Sequence, residues 1–385
     1  MDLSLHLTAR CNLRCRYCYE STHQGGDMTV ETARAAVDLG VDITQRETPA
    51  WPVEIVFFGG EPLLRRDLIA ETVRYCRQVS RKTSRRFVFH MPTNGLLLDE
   101  AFLTGEDTRE IQVALSIDGT PSAHDANRVD AVGRASFGTV ARAAELLLRH
   151  QPDAQAQMVV TPFTARWLAA SVKCLHSMGF RSIVSTLDHG AKWELRHFRT
   201  LEHQYELVAD WYYQAYADGT AVRFSPFDHK IQSHIRPDRG HLAQCHLGQR
   251  QISVAPNGRL YPCVQFVDDG EGDAWAIGDV RTGLDEAARA RLRDLSTEDP
   301  PECLECAIRP RCMHSCGCQN KQTTGRLERV SPIVCAHEQT VLPVADRVAE
   351  RLYGERNGLF IATHYGGDTV QIDGAAPRLS SRKTR

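Results

Sequence analysis

The sequence predicts an α/β protein, in which a partial barrel of six strand–helix units precedes a cysteine-rich region. Strand-like and helix-like segments alternate from residue 2 to about residue 190. Three cysteines follow the first strand-like segment, and eight more lie between Cys245 and Cys335. Alternating strands and helices favour a parallel sheet with helical crossovers, and six such units fit a partial α/β barrel.

The composition excludes several classes of protein. The 46 basic residues nearly balance the 48 acids, which gives a net charge of −2. The chain therefore lacks the excess positive charge that would indicate binding to nucleic acid or to an anionic membrane. No apolar run approaches the roughly 20 residues of a membrane span, and no signal peptide pattern precedes the first strand. We therefore expect a cytoplasmic protein. Disulfides do not persist in that compartment, which leaves metal binding or catalysis to explain 13 cysteines.

The expected elements follow from local pattern. Thr29 is placed to cap the first helix, with Glu31 in its first turn. The strands are expected at residues 3–8, 53–58, 87–91, 111–117, 155–160 and 181–186. The helices are expected at residues 29–42, 66–80, 138–150 and 164–178. Chemistry in such barrels gathers at the C-terminal ends of the strands, where the three-cysteine loop, a Gly-Gly-Glu-Pro turn, Asn94 and Asp118 fall.

The first cysteine group is Cys11, Cys15 and Cys18, spaced C-x₃-C-x₂-C. Three thiolates on one loop can hold three irons of a [4Fe–4S] cluster and leave the fourth iron open to a small molecule. A three-cysteine zinc site or buried core thiols are the alternatives. This spacing, with Tyr17 before the last cysteine, resembles the cluster loop of radical S-adenosylmethionine (SAM) enzymes. The resemblance implies that the open iron binds SAM and that reduction yields a 5′-deoxyadenosyl radical.

The same resemblance implies SAM contacts at other strand ends. Gly59, Gly60 and Glu61 look like the family's "GGE" motif, whose backbone and acid meet the methionine amine. Further contacts are expected from Tyr17 (the cluster or the adenine), Asn94 (the same site), Ser116 and Asp118 (the ribose), and Arg128 (the carboxylate). For Asn94, Ser116, Asp118 and Arg128, an ordinary turn or surface residue is the alternative.

The second cysteine group suits iron–sulfur chemistry better than a zinc ribbon, because a four-thiolate ribbon would leave half of the eight thiols without a role. The order of seven cysteines resembles the SPASM domain, a C-terminal extension of peptide-modifying radical SAM enzymes that holds two auxiliary [4Fe–4S] clusters. The resemblance assigns an outer cluster to Cys303, Cys306, Cys312 and Cys335. It assigns an inner cluster to Cys245, Cys263 and Cys316. Cys318 is our candidate for the fourth inner ligand, by similarity to the Cys-x-Cys pair of the maturase that crosslinks the pyrroloquinoline-quinone precursor peptide.

These observations divide the chain into three regions. We expect the barrel with bridging helices at 1–235, the SPASM domain at 236–340, and a C-terminal helix with a disordered tail at 341–385. The aromatic-rich helix expected at 201–217 is interpreted as a packing face. The helix that begins the last region is expected at 342–352.

The leading functional hypothesis is a radical SAM oxidoreductase that installs a thioether or carbon–carbon crosslink in a ribosomally made precursor peptide. Its expected partners are that peptide, a separate leader-recognition protein, and an electron donor such as ferredoxin or flavodoxin. The recognition protein is expected because the first strand begins almost at residue 1, which leaves no room for a leader-binding domain. Asp188 and His189, which follow the sixth strand, are candidate acid–base residues, with Asp228 and His229 as further candidates.

Three alternatives stay open at this point. One is a dehydrogenase or epimerase that acts on a sugar or other small molecule. Another is an enzyme like the anaerobic sulfatase maturases, although these place an acid just after the second SPASM cysteine, where this chain has Val264 and Gln265 after Cys263. The third is a zinc-stabilised binding protein without catalytic activity.

Overall fold

A computed structural model describes residues 1–19, 26–236, 247–249, 251–267, 272–297 and 300–366. These residues form one sheet of eleven strands. The strands in chain order are β1 (Asp2–His6), β2 (Val53–Phe58), β3 (Phe87–Thr93), β4 (Gln112–Ser116), β5 (Gln155–Val160), β6 (Ser182–Leu187), β7 (Arg223–Phe224), β8 (Gln251–Val254), β9 (Arg259–Tyr261), β10 (Gly278–Asp279) and β11 (Gly283–Leu284). The order across the sheet is β11-β10-β9-β8-β1-β2-β3-β4-β5-β6-β7.

Strands β1 to β7 are parallel, and each pairs with the next strand of the chain. Right-handed crossovers between consecutive neighbours put the connecting helices on one face, which lets the sheet curl into an open barrel. The predicted partial barrel of six units is therefore confirmed, and the short strand β7 extends it.

The helices of the described residues are α1 (Val30–Glu47), α2 (Arg66–Thr83), α3 (Glu100–Thr104), α4 (Pro121–Asp125), α5 (Phe137–His150), α6 (Leu168–Ser177), α7 (Leu195–Ala217), α8 (Ser225–Ile235), α9 (Glu286–Thr297), α10 (Gly317–Thr324), α11 (Pro332–Gly354) and α12 (Gly358–His364). Thr29 caps α1 as predicted, since its hydroxyl accepts a hydrogen bond from the Thr32 amide at 3.1 Å. None of these helices carries an apolar stretch long enough to cross a bilayer.

Along the barrel strands, residues that pack against the helices alternate with residues that line the interior, where polar side chains such as Ser4 and Gln157 lie beside apolar ones such as Val56. Leu3 and Leu5 of β1 are fully buried, and Leu3 packs against Gly40 of α1. The intervening Ser4 points to the interior of the barrel and lines a cavity there. Because the side-chain period of a strand is two residues, the inner face can be polar while the outer face supplies the hydrophobic core.

The cysteine-rich region joins the barrel through the sheet itself. Strand β8 pairs in parallel with β1, and β9, β10 and β11 add antiparallel strands beyond it. The two regions therefore share one continuous set of backbone hydrogen bonds.

The long helices α7 and α11 pack against each other and close the side of the barrel. Tyr205, Tyr212 and Tyr216 of α7 are almost completely buried, so the interpretation of its aromatic residues as a packing face is confirmed. Helix α11 is longer than the helix expected at 342–352, and it passes without a break through the expected boundary at residue 340. The expected disordered tail falls largely outside the described residues.

Candidate functional site

The three-cysteine loop leaves the C-terminal end of β1 and is held by backbone hydrogen bonds to the segment after α4. The amides of Arg14 and Arg16 donate to the carbonyls of Val129 and Asn127, at 2.7 and 2.9 Å. The Cys18 amide donates to the Cys15 carbonyl at 3.0 Å, which folds the loop into a turn. The thiols are thereby presented from a fixed backbone.

The three thiols lie close enough to influence one another. The pKa of the Cys11 thiol is raised to about 12, mainly by burial and also by the negative charges of Glu61, Cys15 and Cys18, against a hydrogen bond from the Leu13 amide that lowers it. Such thiols lose protons when a metal binds, because the thiolate is the ligand. In the described part of the chain, no three His, Cys, Asp or Glu residues converge on a single ion. A cubane does not need that convergence, since each cysteine binds a different iron. The loop therefore fits a three-cysteine cluster site.

Gly59 and Gly60 are required for the β2 loop to pack against the cysteine loop. Gly59 has a φ of +121°, and a Cβ there would lie 2.3 Å from the Thr8 carbonyl oxygen. A Cβ on Gly60 would lie 2.4 Å from the Arg10 carbonyl oxygen. The two loops are joined by hydrogen bonds from the Gly60 and Glu61 amides to those same carbonyls, at 2.9 and 3.0 Å. The close approach that these glycines permit is thus between two loops of the chain.

Glu61 ties the loop after β2 to the loop after β3. Its carboxylate is buried and accepts hydrogen bonds from the Leu63 amide (3.0 Å), the Thr93 hydroxyl (2.7 Å) and the Asn94 amide (2.9 Å). Burial raises the pKa of Glu61, and these hydrogen bonds act in the opposite direction. The Asn94 side chain continues the network by donating to the Asn12 side chain at 2.7 Å.

Asp118 lies behind the site and holds two residues that face it. Its carboxylate pairs with the Arg128 guanidinium at 3.1 Å and accepts hydrogen bonds from the Tyr17 hydroxyl (2.7 Å) and the Val159 amide (3.0 Å). The side chains of Asp118 and Arg128 are 1% and 8% exposed, and the guanidinium lies 5.4 Å from the centre of the Tyr17 ring. Burial alone would lower the pKa of Arg128, but the charge of Asp118 raises it, so the guanidinium stays charged.

The cysteine loop and the strand ends enclose a cavity of about 310 Å³, which we call the site cavity. Of the residues predicted to contact SAM, its walls include Tyr17, Gly59, Gly60, Glu61, Asn94, Ser116 and Arg128. Asp118 is absent from the walls, in agreement with its position behind Tyr17 and Arg128.

The proposed inner cluster ligands meet next to this cavity. The sulfur atoms of Cys316 and Cys318 are 3.4 Å apart. The Cys318 thiol donates a hydrogen bond to Cys263, which lowers the pKa of Cys263 against the effect of burial. Cys318 also lines the site cavity, whereas Cys245 lies outside the described residues. The structure thus brings Cys318 to Cys263 and Cys316.

Three of the proposed outer cluster ligands, Cys303, Cys306 and Cys312, precede Cys316 in the chain, and Cys335 follows it. The Cys306 amide donates to the Cys303 carbonyl at 3.0 Å, and Cys335 lies at the start of α11. Burial raises the pKa of Cys312 to about 12, with Glu338 and Cys303 raising it and Lys230 lowering it. The side chains of Lys230 and Glu338 form a buried ion pair of 2.5 Å beside Cys312. At Cys312 the two charges of this pair act in opposite directions, whereas at Cys335 the charge of Glu338 contributes to a raised pKa.

Asp188 and His189 both line the site cavity, as their position after β6 predicted. Burial raises the pKa of Asp188, while the Gly190 amide donates to its carboxylate at 3.0 Å. Burial lowers the pKa of His189 to about 4, so its imidazole is neutral near pH 7. The further candidates Asp228 and His229 do not line this cavity. Asp228 instead accepts a hydrogen bond from Tyr212 at 2.8 Å within the helical layer.

Sequence reasoning assigned no role in the site to four glutamines that line the same cavity: Gln157, Gln265, Gln319 and Gln322. Two of them follow cysteines closely, Gln265 after Cys263 and Gln319 after Cys318. Their position in the sequence, one or two residues after a candidate ligand cysteine, is the signal that could have placed these two glutamines in the site. Gln322 lies one helical turn beyond Gln319 and packs over Gly190, where a Cβ would lie 3.0 Å from its Nε2 atom.

Fold and site together define an iron–sulfur enzyme of the partial-barrel type, with auxiliary thiols beside the cavity. Residues 5–174 match the family model of the Radical SAM superfamily, and residues 245–313 match SPASM, described as an iron–sulfur cluster-binding domain. The chain belongs to the radical SAM superfamily and carries a C-terminal SPASM domain. Its cofactors are [4Fe–4S] clusters and SAM. The zinc-stabilised binding protein considered from the sequence is therefore wrong.

Curated relatives cover most of the chain. The chain is 24% identical over 288 residues to the cysteine-type anaerobic sulfatase-maturating enzyme of Clostridium perfringens (strain 13 / Type A), covering 70% of this chain and 75% of that enzyme. It is 25% identical over 336 residues to the serine-type anaerobic sulfatase-maturating enzyme of Klebsiella aerogenes, covering 80% and 76%.

Solved structures are similar in fold. Native anSMEcpe with bound AdoMet and Cp18Cys peptide has a TM-score of 0.77 at 22% identity, covering 93% of this chain and all of that chain. Streptococcus suis SuiB bound to precursor peptide SuiA has a TM-score of 0.58 at 14% identity, covering 87% and 75%. At these identities the likeness establishes the fold.

Proposed function

We propose that this enzyme oxidatively modifies a peptide and installs a thioether or carbon–carbon crosslink in a ribosomally made precursor. One observation carries the proposal: Cys318, which meets Cys263 and Cys316, also lines the cavity formed by the Cys11–Cys18 loop. An electron acceptor beside the reacting atoms suits a net oxidation, because closing a crosslink removes two hydrogen atoms from the peptide. The AdoMet and peptide in related solved structures support the same class of chemistry.

In this proposal the cofactors supply the radical chemistry, and the residues of the chain hold and orient the cofactors and the substrate. Cys11, Cys15 and Cys18 would hold the cluster that, together with SAM, provides a 5′-deoxyadenosyl radical able to remove a hydrogen atom from the substrate. Glu61 fixes the loops after β2 and β3 through its three hydrogen bonds, which sets the shape of the SAM-facing wall. In this proposal Asn94 and Ser116 complete that wall.

Asp118 acts as a positioning residue in this proposal. It orients the Arg128 fork and the Tyr17 ring toward the site cavity while remaining behind them. A guanidinium kept charged by its own carboxylate partner suits recognition of the SAM carboxylate. The ribose contact expected of Asp118 from the family resemblance is thus replaced by an indirect role.

Oxidation also releases protons, and two side chains can accept them. Asp188 and His189 both face the site cavity, and Nδ1 of His189 has no hydrogen-bond partner among the described residues. Burial raises the pKa of Asp188 and lowers that of His189, which makes the carboxylate the better placed of the two to hold a proton. Cys263, Cys316 and Cys318 would hold the inner auxiliary cluster, with Cys245 as the remaining candidate ligand, and this group would supply an electron acceptor. Cys303, Cys306, Cys312 and Cys335 would hold the outer one. We propose a cytoplasmic enzyme with ferredoxin or flavodoxin as electron donor and a separate leader-recognition protein.

A second candidate is a sulfatase-maturase-like activity. The sequence similarity to two types of anaerobic sulfatase-maturating enzyme over 70–80% of the chain favours it. The cavity wall argues against it, because the acid expected after Cys263 is replaced by Val264 and by Gln265, whose side chain faces the cavity.

The test is made with anaerobically reconstituted enzyme, SAM and a reductant. The precursor peptide encoded beside this chain is expected to lose two hydrogen atoms per crosslink, as read by high-resolution mass spectrometry. Fragmentation of the product should fail between the joined residues. A Cys11→Ala variant serves as the control and should leave the peptide unchanged. Modification of sulfatase-derived cysteine or serine peptides alone would support the second candidate, and SAM cleavage with no peptide modified would contradict both.

A further inference from the structure

The turn that follows β5 carries an exposed group of aromatic and basic side chains at the C-terminal edge of the barrel. Phe163 is 58% exposed, and its ring meets the Trp167 ring edge-on, with the two ring centres 5.4 Å apart. The guanidinium carbon of Arg166 lies 4.3 Å from the centre of the Phe163 ring and 4.6 Å from the centre of the Trp167 ring. We call Phe163, Arg166 and Trp167 the rim patch.

The backbone beneath the rim patch is fixed by hydrogen bonds. The Thr161 amide donates to the Thr164 hydroxyl at 3.0 Å, and the Thr164 amide donates to the Thr161 hydroxyl at 3.2 Å. Both threonines are buried, and just beyond the patch the Ala169 amide donates to the Gln204 carboxamide of α7 at 3.1 Å. The exposed rings are therefore held in place before a partner arrives, so little further ordering is needed on binding.

The charge of the rim patch is not balanced within the described chain. Arg166 stacks on the two rings and forms no ion pair with a carboxylate in the part of the chain that the structure describes. Arg351 differs, since it stacks on the Tyr213 ring and also pairs with Glu355 at 3.2 Å. Aromatic and arginine side chains are the types enriched where proteins bind partners. The composition therefore indicates a recognition surface whose partner supplies the negative charge.

The neighbouring loop extends this surface. Strands β5 and β6 are paired in the sheet, so the loops that follow them leave the same edge side by side. The second loop leads into α7, whose first residue, Leu195, is 68% exposed. Arg199 lies one helical turn further on the same face, is exposed, and has no ion-pair partner among the described residues. An apolar side chain with an unpaired cation nearby is thus repeated on both loops.

Both loops begin at the site cavity. Val159 of β5 and Asp188 after β6 line that cavity, four residues before Phe163 and seven residues before Leu195. At no more than about 3.5 Å per residue, four residues span at most roughly 14 Å. A peptide whose reacting residue lies in the site cavity therefore reaches the rim patch with an extended flank of about five residues.

We propose that the rim patch binds an acidic segment of the precursor peptide, with an apolar side chain packed on Phe163 and a carboxylate paired with Arg166. This inference rests on the proposed function and adds which part of the substrate is recognised outside the site cavity, and by what chemistry. A guanidinium fork binds a carboxylate through two parallel hydrogen bonds, and its stacking on aromatic rings keeps the fork in a fixed orientation. A small-molecule substrate within the site cavity would leave the rim patch uncovered.

The experiment measures, by fluorescence anisotropy, the binding of the precursor peptide encoded beside this chain to reconstituted, SAM-loaded enzyme without reductant. Two fluorescein-labelled forms are compared, the native peptide and a form in which every Asp and Glu is changed to Asn and Gln. The Phe163→Ser/Arg166→Gln variant is compared with wild type. The matched control is Tyr353→Ser/Arg351→Gln, which removes an exposed aromatic residue and a ring-stacked arginine of α11. Iron content and SAM cleavage after reduction report whether each variant is folded.

Wild type should bind the native peptide about tenfold more tightly than the amide form, because a charge-assisted contact is lost. The Phe163→Ser/Arg166→Gln variant should bind the native peptide about tenfold more weakly than wild type and should no longer distinguish the two forms, while the control variant behaves as wild type. In turnover, the rim variant should raise KM and leave kcat at saturating peptide unchanged, since the patch lies outside the site cavity.

A rim variant that still distinguishes the two peptides would overturn the inference, as would a wild type that binds both forms equally. Binding of the native peptide only after a separate recognition protein is added would also overturn it. Charge-dependent binding that the rim variant loses, without any change in the mass of the peptide during turnover, would overturn the proposed function and leave this inference standing.

Discussion

Replacing Asp118 by asparagine tests whether a buried ion pair organises the SAM-facing wall. The substitution keeps the shape of the side chain and removes its charge. Arg128, whose side chain is 8% exposed, then loses the carboxylate that lies 3.1 Å away. The asparagine side-chain oxygen can still accept a hydrogen bond from the Val159 amide or the Tyr17 hydroxyl. The asparagine side-chain nitrogen, however, replaces the second carboxylate oxygen and faces hydrogen-bond donors.

The expected loss in the free energy of unfolding follows from the cost of a buried charge that has no partner. Breaking a buried pair by removing one partner costs about 3–5 kcal/mol, and the retained acceptor places Asp118→Asn near 3 kcal/mol. Tyr17→Phe removes only one hydrogen bond to the same carboxylate and should cost about 1 kcal/mol. Replacing both residues of the ion pair, with Asp118→Asn and Arg128→Gln, should recover more than half of the lost free energy of unfolding, because no buried charge is then left without a partner.

The assay is anaerobic urea unfolding of reconstituted protein at pH 7, followed by far-ultraviolet circular dichroism, with iron measured on each sample. The double-mutant cycle isolates the coupling between the two side chains. SAM affinity should fall with Asp118→Asn even at full iron loading, because the guanidinium is no longer oriented. A free-energy change below about 1 kcal/mol, or additive single and double variants, would refute the reasoning.

Three further predictions concern other parts of the molecule. Gly59→Ala should abolish iron loading, because its methyl carbon would lie 2.3 Å from a backbone oxygen at a φ of +121°, whereas Gly138→Ala, with open space around it, should load normally. Cys318→Ala should lower the iron content from about twelve to about eight per chain, while Cys174→Ala leaves it unchanged; equal iron in both variants would exclude Cys318 as a ligand. Burial raises the pKa of Asp228 to about 7, so the folded state holds its proton more tightly than the unfolded state. Wild-type stability should therefore fall relative to Asp228→Asn as pH rises from about 4 to about 7, by at most about 1.4 kcal/mol per pH unit, and parallel stability curves would contradict this.

Much of the fold was predictable because its signals are local. The barrel strands alternate buried and inward residues, and turn residues mark their ends. Since the C-terminal ends of parallel strands meet at one edge, Glu61, Asn94 and Ser116 were expected together, and all three line one cavity. The structure extends α11 well beyond the predicted segment, because Ser331 caps a helix that the expected boundary had divided.

The remainder depends on contacts that local pattern does not encode. The sequence marks Asp118 as a strand-end acid, but its partner Tyr17 is 101 positions away, so its position behind the wall was not predictable. The two glycines of the β2 loop were expected to admit a ligand, and the structure shows that they admit the backbone of residues 8–10. Gln157 of β5 has no signal of its own in the sequence, and only the curl of the sheet brings it to the site cavity.

The pairing of β8 with β1 has a mechanical consequence. Four residue pairs, from Asp2 with Gln251 to Leu5 with Val254, join the cysteine-rich region to the strand that leads directly into the Cys11–Cys18 loop. A hinge between β1 and the strands that lead to Cys263 would have to break this ladder. The distance between the Cys11–Cys18 loop and Cys263, two residues after β9, is therefore set by backbone geometry. Separation of these strands is therefore not a way to admit a substrate, because it would cost the hydrogen bonds of the whole ladder.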